Sequence, residues 1–354
     1  MQVRQHSLLD WIPLAMLEIE SCDGLTLFYF SDFLIKLAKD PEFAKHKAAY
    51  PEMKDETDPQ KLKVAWRNRG FPTVFSTSKY FTFEENKHGE TFECGFRLKE
   101  NTSASHALMH FYKKAKTVLD CTLVINLARP VAFLYYFQER LGNEGGNFLF
   151  DHWFGATFEA TPAKYRLHIN DNVSYCTSIE RFIKRVNPPE TKTPTVRYAQ
   201  LVYFKNHPDY LKKHPSGNAQ GWNVYCVGVN GENEPCFLGF GLGREPQTTT
   251  QILMRLRDEY NLPAEVKSGN FENHIKLSDL SPVPFYMEPL ALNEEFLNKG
   301  IEGPRGLASA CEAAKILQQA ADHHRSLSAN AGQSEEGQAM TDDKLRSSKS
   351  PMQL

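Results

Sequence analysis

The sequence predicts an α+β fold, and three observations carry that prediction. The run 120–137 is almost wholly apolar and long enough for a buried helix. Segments 196–204, 222–229 and 236–242 are rich in β-formers, and Asn230-Gly231-Glu232 separates the last two as a hairpin turn would. Composition supplies the third: the 354 residues are 41% hydrophobic and 24% charged, with Lys+Arg 41 against Asp+Glu 43 and a formal net charge of −2. That is too much apolar content for global disorder and too little charge bias for non-specific nucleic-acid binding. No stretch reaches the roughly 20 apolar residues of a transmembrane helix, so the expected class is soluble and globular.

Taken in order, the N-terminal patch of Leu8, Leu9, Trp11, Ile12, Leu14, Met16 and Leu17 is broken by Asp10 and Pro13. It lacks the uninterrupted apolar run of a secretory signal and reads as an amphipathic helix packed on the domain. Segment 36–69 is rich in lysine and acids and reads as solvated surface. In the apolar run, Asp120 is a good N-cap residue and Gly142 a good C-cap residue, while Pro130 should kink or interrupt the interior. A three-residue turn between 229 and 233 would set Trp222 opposite Phe240 and Cys226 opposite Cys236. Leu307, Cys311, Ala314, Leu317 and Ala321 recur at helical spacing over 306–327, and 328–354 has the composition of a disordered tail. The expected organisation is a helical N-terminal segment over 1–70, an α+β domain over 71–285, a helical extension over 286–327 and the tail.

The Cys count is 7, and these residues follow no metal or disulfide spacing, so a reducing compartment is expected. The protein is therefore expected in the cytoplasm, or exported by a route without a cleavable signal peptide. Cys121 stands apart because it begins the apolar helix, where the positive end of the helix dipole stabilises a thiolate. Other constellations carry less. Asp55, Glu56, Asp58, Glu84 and Glu85 read as solvated acids. His323-His324 has no second pair at ligand spacing, so no metal is expected. Gly239, Gly241 and Gly243 alternate on a strand, which is not a dinucleotide loop. Lys212-Lys213-His214 is too short for a nucleic-acid footprint.

Several short motifs then fall in a recognisable order: Ser105-His106-Ala107, Leu119-Asp120-Cys121-Thr122, Tyr203-Phe204-Lys205-Asn206, Gly221-Trp222-Asn223-Val224 and Phe240-Gly241-Leu242-Gly243. Over about 92–243 the chain resembles the Bacillus-type, spore-coat-associated protein-glutamine gamma-glutamyltransferases, with a longer segment between 155 and 198. The resemblance implies a papain-like, transglutaminase-like scaffold with helical additions. It also implies that Asp120 precedes a nucleophilic Cys121. Such a thiolate attacks a glutamine carboxamide, expels ammonia and leaves a thioester, which a lysine amine or water resolves to a crosslink or to deamidation. No cofactor is implied; the partner is a protein substrate or protein partner, with no nucleic acid and no membrane.

At two positions the chain departs from the family. The family's glutamate in Gly-Glu-Asn-Val is matched by Trp222, and its histidine in His-Gly-Leu-Gly by Phe240, and neither aromatic ring transfers a proton. The expected site is then catalytic Cys121, Asp120 and His207, with Trp222, Asn223 and Phe240 lining a substrate cleft. Asp209, His214 and His152 are further substitutes for the lost base. The alternative expectation is a catalytically impaired relative that binds a protein through the old cleft, with Trp222 and Phe240 paired to close it or to stack on a ligand.

Overall fold

The structure is a computed structural model that describes residues 7–23, 25–27, 75–88, 91–119, 121–155, 167–170, 183–185, 196–215, 217, 219–266, 269–288, 290–292, 314–319, 321, 322 and 325. Segment 36–69, the tail, Asp55, Glu56, Asp58, Asp120, Cys176, Cys311 and His323-His324 lie outside the described residues, as do the side chains of Glu84, Glu85, Cys94 and Cys121. The architecture is α+β, with small sheets packed against helices.

Helix α1 (Leu8–Glu20) begins with a capping box: Ser7 Oγ accepts the Asp10 N–H, and the Asp10 carboxylate accepts the Ser7 N–H. Leu8, Ile12, Ala15, Met16 and Ile19 recur at three- and four-residue steps and are buried, which gives α1 one inward stripe. After it, β1 (Leu25–Leu27) pairs in parallel with β5 (Thr117–Leu119), and β2 (Phe75–Ser76) closes that three-stranded sheet. The 1–70 segment, expected to be helical, therefore contains a strand. A second sheet is built from β3 (Phe81–His88), β4 (Thr91–Leu98) and β6 (His168–Asn170). Helix α2 (Ala104–Lys113) follows β4.

Helix α3 (Cys121–Phe154) is the central element. Leu123, Val124, Leu127, Ala128, Val131 and Ala132 are fully buried, and Asn126 and Arg129 between them are buried too, so the first arm of α3 is enclosed on every side. One expectation is corrected here. Pro130 leaves the helical backbone intact, the one non-helical residue being Gly142 at φ 73. Gly142 ends the first stretch as a C-cap glycine does, but the chain turns back at once into a return helix that the Gly145-Gly146 pair makes feasible. A Cβ on Gly146 would lie 2.5 Å from the Gln138 backbone, so the two arms approach as closely as main chain allows.

The largest sheet has the order β11-β10-β9-β8-β12, built from β8 (Leu201–Lys205), β9 (Gly221–Val229), β10 (Pro235–Leu238), β11 (Gln247–Thr248) and β12 (Tyr286–Glu288). The short helix α4 (Tyr210–Lys213) lies between β8 and β9, and α5 (Thr249–Asn261) follows β11. β7 (Ile183–Arg185) and β13 (Leu290–Leu292) form a separate pair. The 286–327 segment thus opens with strands rather than helix, since β12 extends the large sheet at β8; its described residues 314–319 are helical.

Alternation along these strands separates two cores. Leu201 and Tyr225 join the core that holds α1, α2 and α3, whereas Val202, Phe204, Trp222, Val224 and Phe237 join the core that holds α5. The β9–β10 register differs from the expected one. Pro235 pairs with Val229, Cys236 with Gly228, Phe237 with Cys226 and Leu238 with Tyr225, with a bulge at Cys236/Phe237. The cause is the turn. Asn230 Oδ1 accepts the N–H groups of Glu232 and Glu234, and Asn233 takes φ 63, so the connection is longer than three residues. Cys226 and Cys236 consequently do not face each other, and both are free thiols.

Candidate functional site

The head of α3 is positioned by its two flanks. Strand β5, which leads into Cys121, is held between β1 and β2, with Leu27 opposite Leu119. One turn inside the helix, the Tyr225 hydroxyl on β9 donates to the Ile125 carbonyl at 3.3 Å and accepts from Arg129 Nε at 3.2 Å. Arg129 is only 3% exposed, so this contact places a guanidinium at the junction of α3 and the large sheet. Cys121 occupies the first helical position, where the unpaired N–H groups of an α-helix favour negative charge.

The residues expected to line a cleft are distributed differently. Trp222 and Phe240 are each 5% exposed, and their side chains belong to different cores, Trp222 to the α5 side and Phe240 to the α3 side. They do meet, because the Trp222 indole N–H donates to the Phe240 carbonyl at 3.1 Å. The contact between the two residues is thus a hydrogen bond from the Trp222 side chain to the Phe240 main chain, with the two rings packed in different cores. Alternation sends the Asn223 side chain to the same face as Tyr225, toward the α3 core.

One polar residue at this loop was missed. Glu20, the last residue of α1, accepts the Gly241 N–H at 3.1 Å, and Gly241 follows Phe240 directly. Burial raises its pKa, opposed by the Gly241 and Gly243 amides and by Arg244 and Arg255. A signal existed: an acid at a helix C-terminus opposes the dipole and calls for an outside partner. The partner, 221 residues away in sequence, was not readable.

The substitute bases lie elsewhere. His207 packs edge-on to Tyr260 at 5.0 Å, and its Nδ1 accepts the Asp209 N–H at 3.2 Å. Tyr260 belongs to the α5 core, so the His207 ring packs against a residue of that core. Asp209 is bound by Lys212 at 2.5 Å, which lowers its pKa. His214 and Lys213 are buried and both hydrogen-bond the Tyr260 carbonyl at 2.8 Å, so they cap the C-terminal end of α5. Burial lowers the pKa of Lys213. His152 stacks on Phe148 in the return arm of α3.

Two cavities flank these elements. One, of ≈ 690 Å³, lies between the start of α2 and the return arm of α3. There the Asp151 carboxylate takes the Ser103 hydroxyl and the Ser105 N–H, each at 2.6 Å, and burial raises its pKa. It acts as a clamp at the α2 N-terminus. The other, of ≈ 380 Å³, is bounded by Lys205, Asn206 and His207 on one side and by Ser281, Val283 and Phe285 on the other. Among the described residues no group of three His, Cys, Asp or Glu is arranged to hold a metal, and no helix is long and apolar enough to cross a membrane. In comparisons with known proteins, no family model, no curated protein and no solved structure matches the chain.

Proposed function

We propose that the chain is a transglutaminase-like thiol enzyme that carries out acyl transfer or deamidation at a protein glutamine through Cys121. The observation that carries this reading is the position of Cys121 at the head of a buried helix whose next turn is bonded to the strand bearing Gly221, Asn223 and Val224. A helix packed this way on an antiparallel sheet is what a papain-like scaffold requires, and that finer fold assignment belongs to the same proposal. The dipole of α3 favours the thiolate, which attacks the glutamine carboxamide; ammonia leaves, and an amine or water resolves the thioester.

A second reading is favoured by the burial of Trp222 and Phe240, which stand where the resembled family has its glutamate and histidine. Without titrating groups at those positions, the scaffold serves as a protein-binding or regulatory module.

The deciding experiment is incorporation of a labelled primary amine into a glutamine-rich acceptor protein, with ammonia release followed in parallel, for the chain and for Cys121→Ala. The enzyme reading expects label and ammonia from the first and neither from the second. Equal signals from the two proteins, or none from either, overturn it in favour of the binding module.

A further inference from the structure

The loop 77–80 joins β2 to β3 and is held on α2 by two histidines one helical turn apart. Ser78 is 7% exposed, and its hydroxyl lies 3.3 Å from His110 Nδ1. The Tyr80 hydroxyl lies 3.0 Å from His106 Nε2, and the Tyr80 ring stands edge-on to both imidazoles, its centroid 5.0 Å from that of His106 and 4.9 Å from that of His110. Two amides of the loop report on this hold. The Thr77 N–H donates to the Lys116 carbonyl at 3.0 Å, and the Ser78 N–H donates to Ser76 Oγ at 3.1 Å.

The charges that face His110 share one sign. His106 and Lys114 flank it along the chain of α2, and Lys79 faces it from the loop, with Nζ 5.0 Å from the centre of the Tyr80 ring. Among the described residues no carboxylate is one of its charged neighbours. Burial first, and then His106, Lys79 and Lys114, lower its pKa, so the neutral ring is the favoured form. Nδ1 can accept the buried Ser78 hydroxyl only while it carries no proton, and a charged ring would stand among like charges. His106 is placed differently: it lines the ≈ 690 Å³ cavity with Asp151 and Glu144, so acids stand on its side of the helix.

We propose that the loop 77–80 is a pH-sensitive latch, closed on α2 while the His110 ring is neutral and released when that ring takes up a proton. Above the ordinary histidine value of about 6.5 the ring is neutral whether the loop is closed or open, and the hold is fully present. As pH falls below that value the open form takes up the proton first, and the hold is progressively lost. The consequence reaches past the loop. Strand β2 flanks β5, with Phe75 opposite Val118 and Ser76 opposite Thr117, so release loosens one of the two strands that hold the entry to α3. The latch does not rest on the chemistry assigned to Cys121.

The test follows hydrogen exchange over 77–80 in the full chain at about pH 7.5 and about pH 5.5, on either side of the ordinary histidine value, with rates corrected for the intrinsic effect of pH. The quantity read is the ratio of protection at the two values. Protection should fall several-fold in acid in the unmodified chain, whereas in His110→Gln, which carries no titrating ring, the ratio should be close to one whatever the absolute protection. The imidazole resonance missing from His110→Gln identifies His110 in proton NMR. Its midpoint should lie below the ordinary value and should rise in the double variant Lys79→Met, Lys114→Met at low salt, where screening is weak. A ratio of one in the unmodified chain, a ratio that persists in His110→Gln, a midpoint at or above the ordinary value, as the dipole at the C-terminal end of α2 would favour, or a midpoint indifferent to loss of the two lysines overturns the proposal.

Discussion

The indole N–H of Trp222 donates to the carbonyl oxygen of Phe240, although the two rings fill different cores. One hydrogen bond thus joins β9 to the glycine loop after β10, at the boundary between the α3 core and the α5 core. The Glu20 carboxylate binds the next amide of that loop, and Arg255 Nη2 donates to the Leu242 carbonyl at 3.1 Å, so helices on both sides of the sheet hold the same few residues.

Trp222→Phe keeps an aromatic ring but strands the buried Phe240 carbonyl, and should cost about 1–3 kcal/mol. Trp222→Ala adds a cavity and should cost about 3–5 kcal/mol. Trp222→Glu, which restores the acid found in the resembled family, buries a carboxylate on the α5 side and should destabilise more than Trp222→Phe. Urea midpoints at constant slope check the order; a Glu variant at least as stable as the Phe variant contradicts the assigned side of the sheet.

Glu20 should make stability fall as pH rises. Its folded pKa is raised, chiefly by burial, above the ordinary carboxylate value of about 4.3. Below the ordinary value both states are protonated and the favourable contribution is fully present. As pH climbs through the folded value, a charge is forced into the site and that contribution is lost. Glu20→Gln keeps an acceptor for Gly241 without the charge, so its stability relative to the unmodified chain should grow from acid pH to neutrality. Denaturation curves across that range read the gap. A gap that narrows toward neutrality would mean that the amides and arginines outweigh burial.

Gly146→Ala isolates the close approach within α3. Alanine in place of glycine is intrinsically favourable in a helix by about 1 kcal/mol, yet here its Cβ meets the Gln138 main chain. A net loss of about 1–3 kcal/mol is expected, because backbone cannot step aside cheaply. Gly231→Ala, with nothing within 4 Å of its Cβ, is the control and should be close to neutral. Thermal melts of the two variants decide it.

Local pattern and long-range arrangement were legible to different degrees. The amphipathic stripe of α1, the enclosed apolar run of α3 and the left-handed glycine at 142 are recorded within a few neighbouring residues, and sequence periodicity reaches them. The return arm of α3 was missed because Gly145-Gly146 reads as a loop unless a second helix is known to press against it. The hairpin was legible but its register was not, since Asn230 and Asn233 lengthen the turn through side-chain and left-handed geometry that pairing arithmetic does not contain. The separation of Trp222 from the Phe240 ring follows from that shift. Glu20, His207 and Lys213 take their roles from partners supplied by other elements, and residue type alone does not announce them.

The parallel pairing of β1 with β5 has a kinetic consequence. Joining strands that lie so far apart in the chain closes a long loop before any favourable contact is gained, whereas the α1 capping box and the β9–β10 hairpin form between near neighbours. Refolding should therefore complete the helices and the hairpin ahead of the strand that delivers Cys121, which makes the setting of the α3 head a late event on the folding pathway.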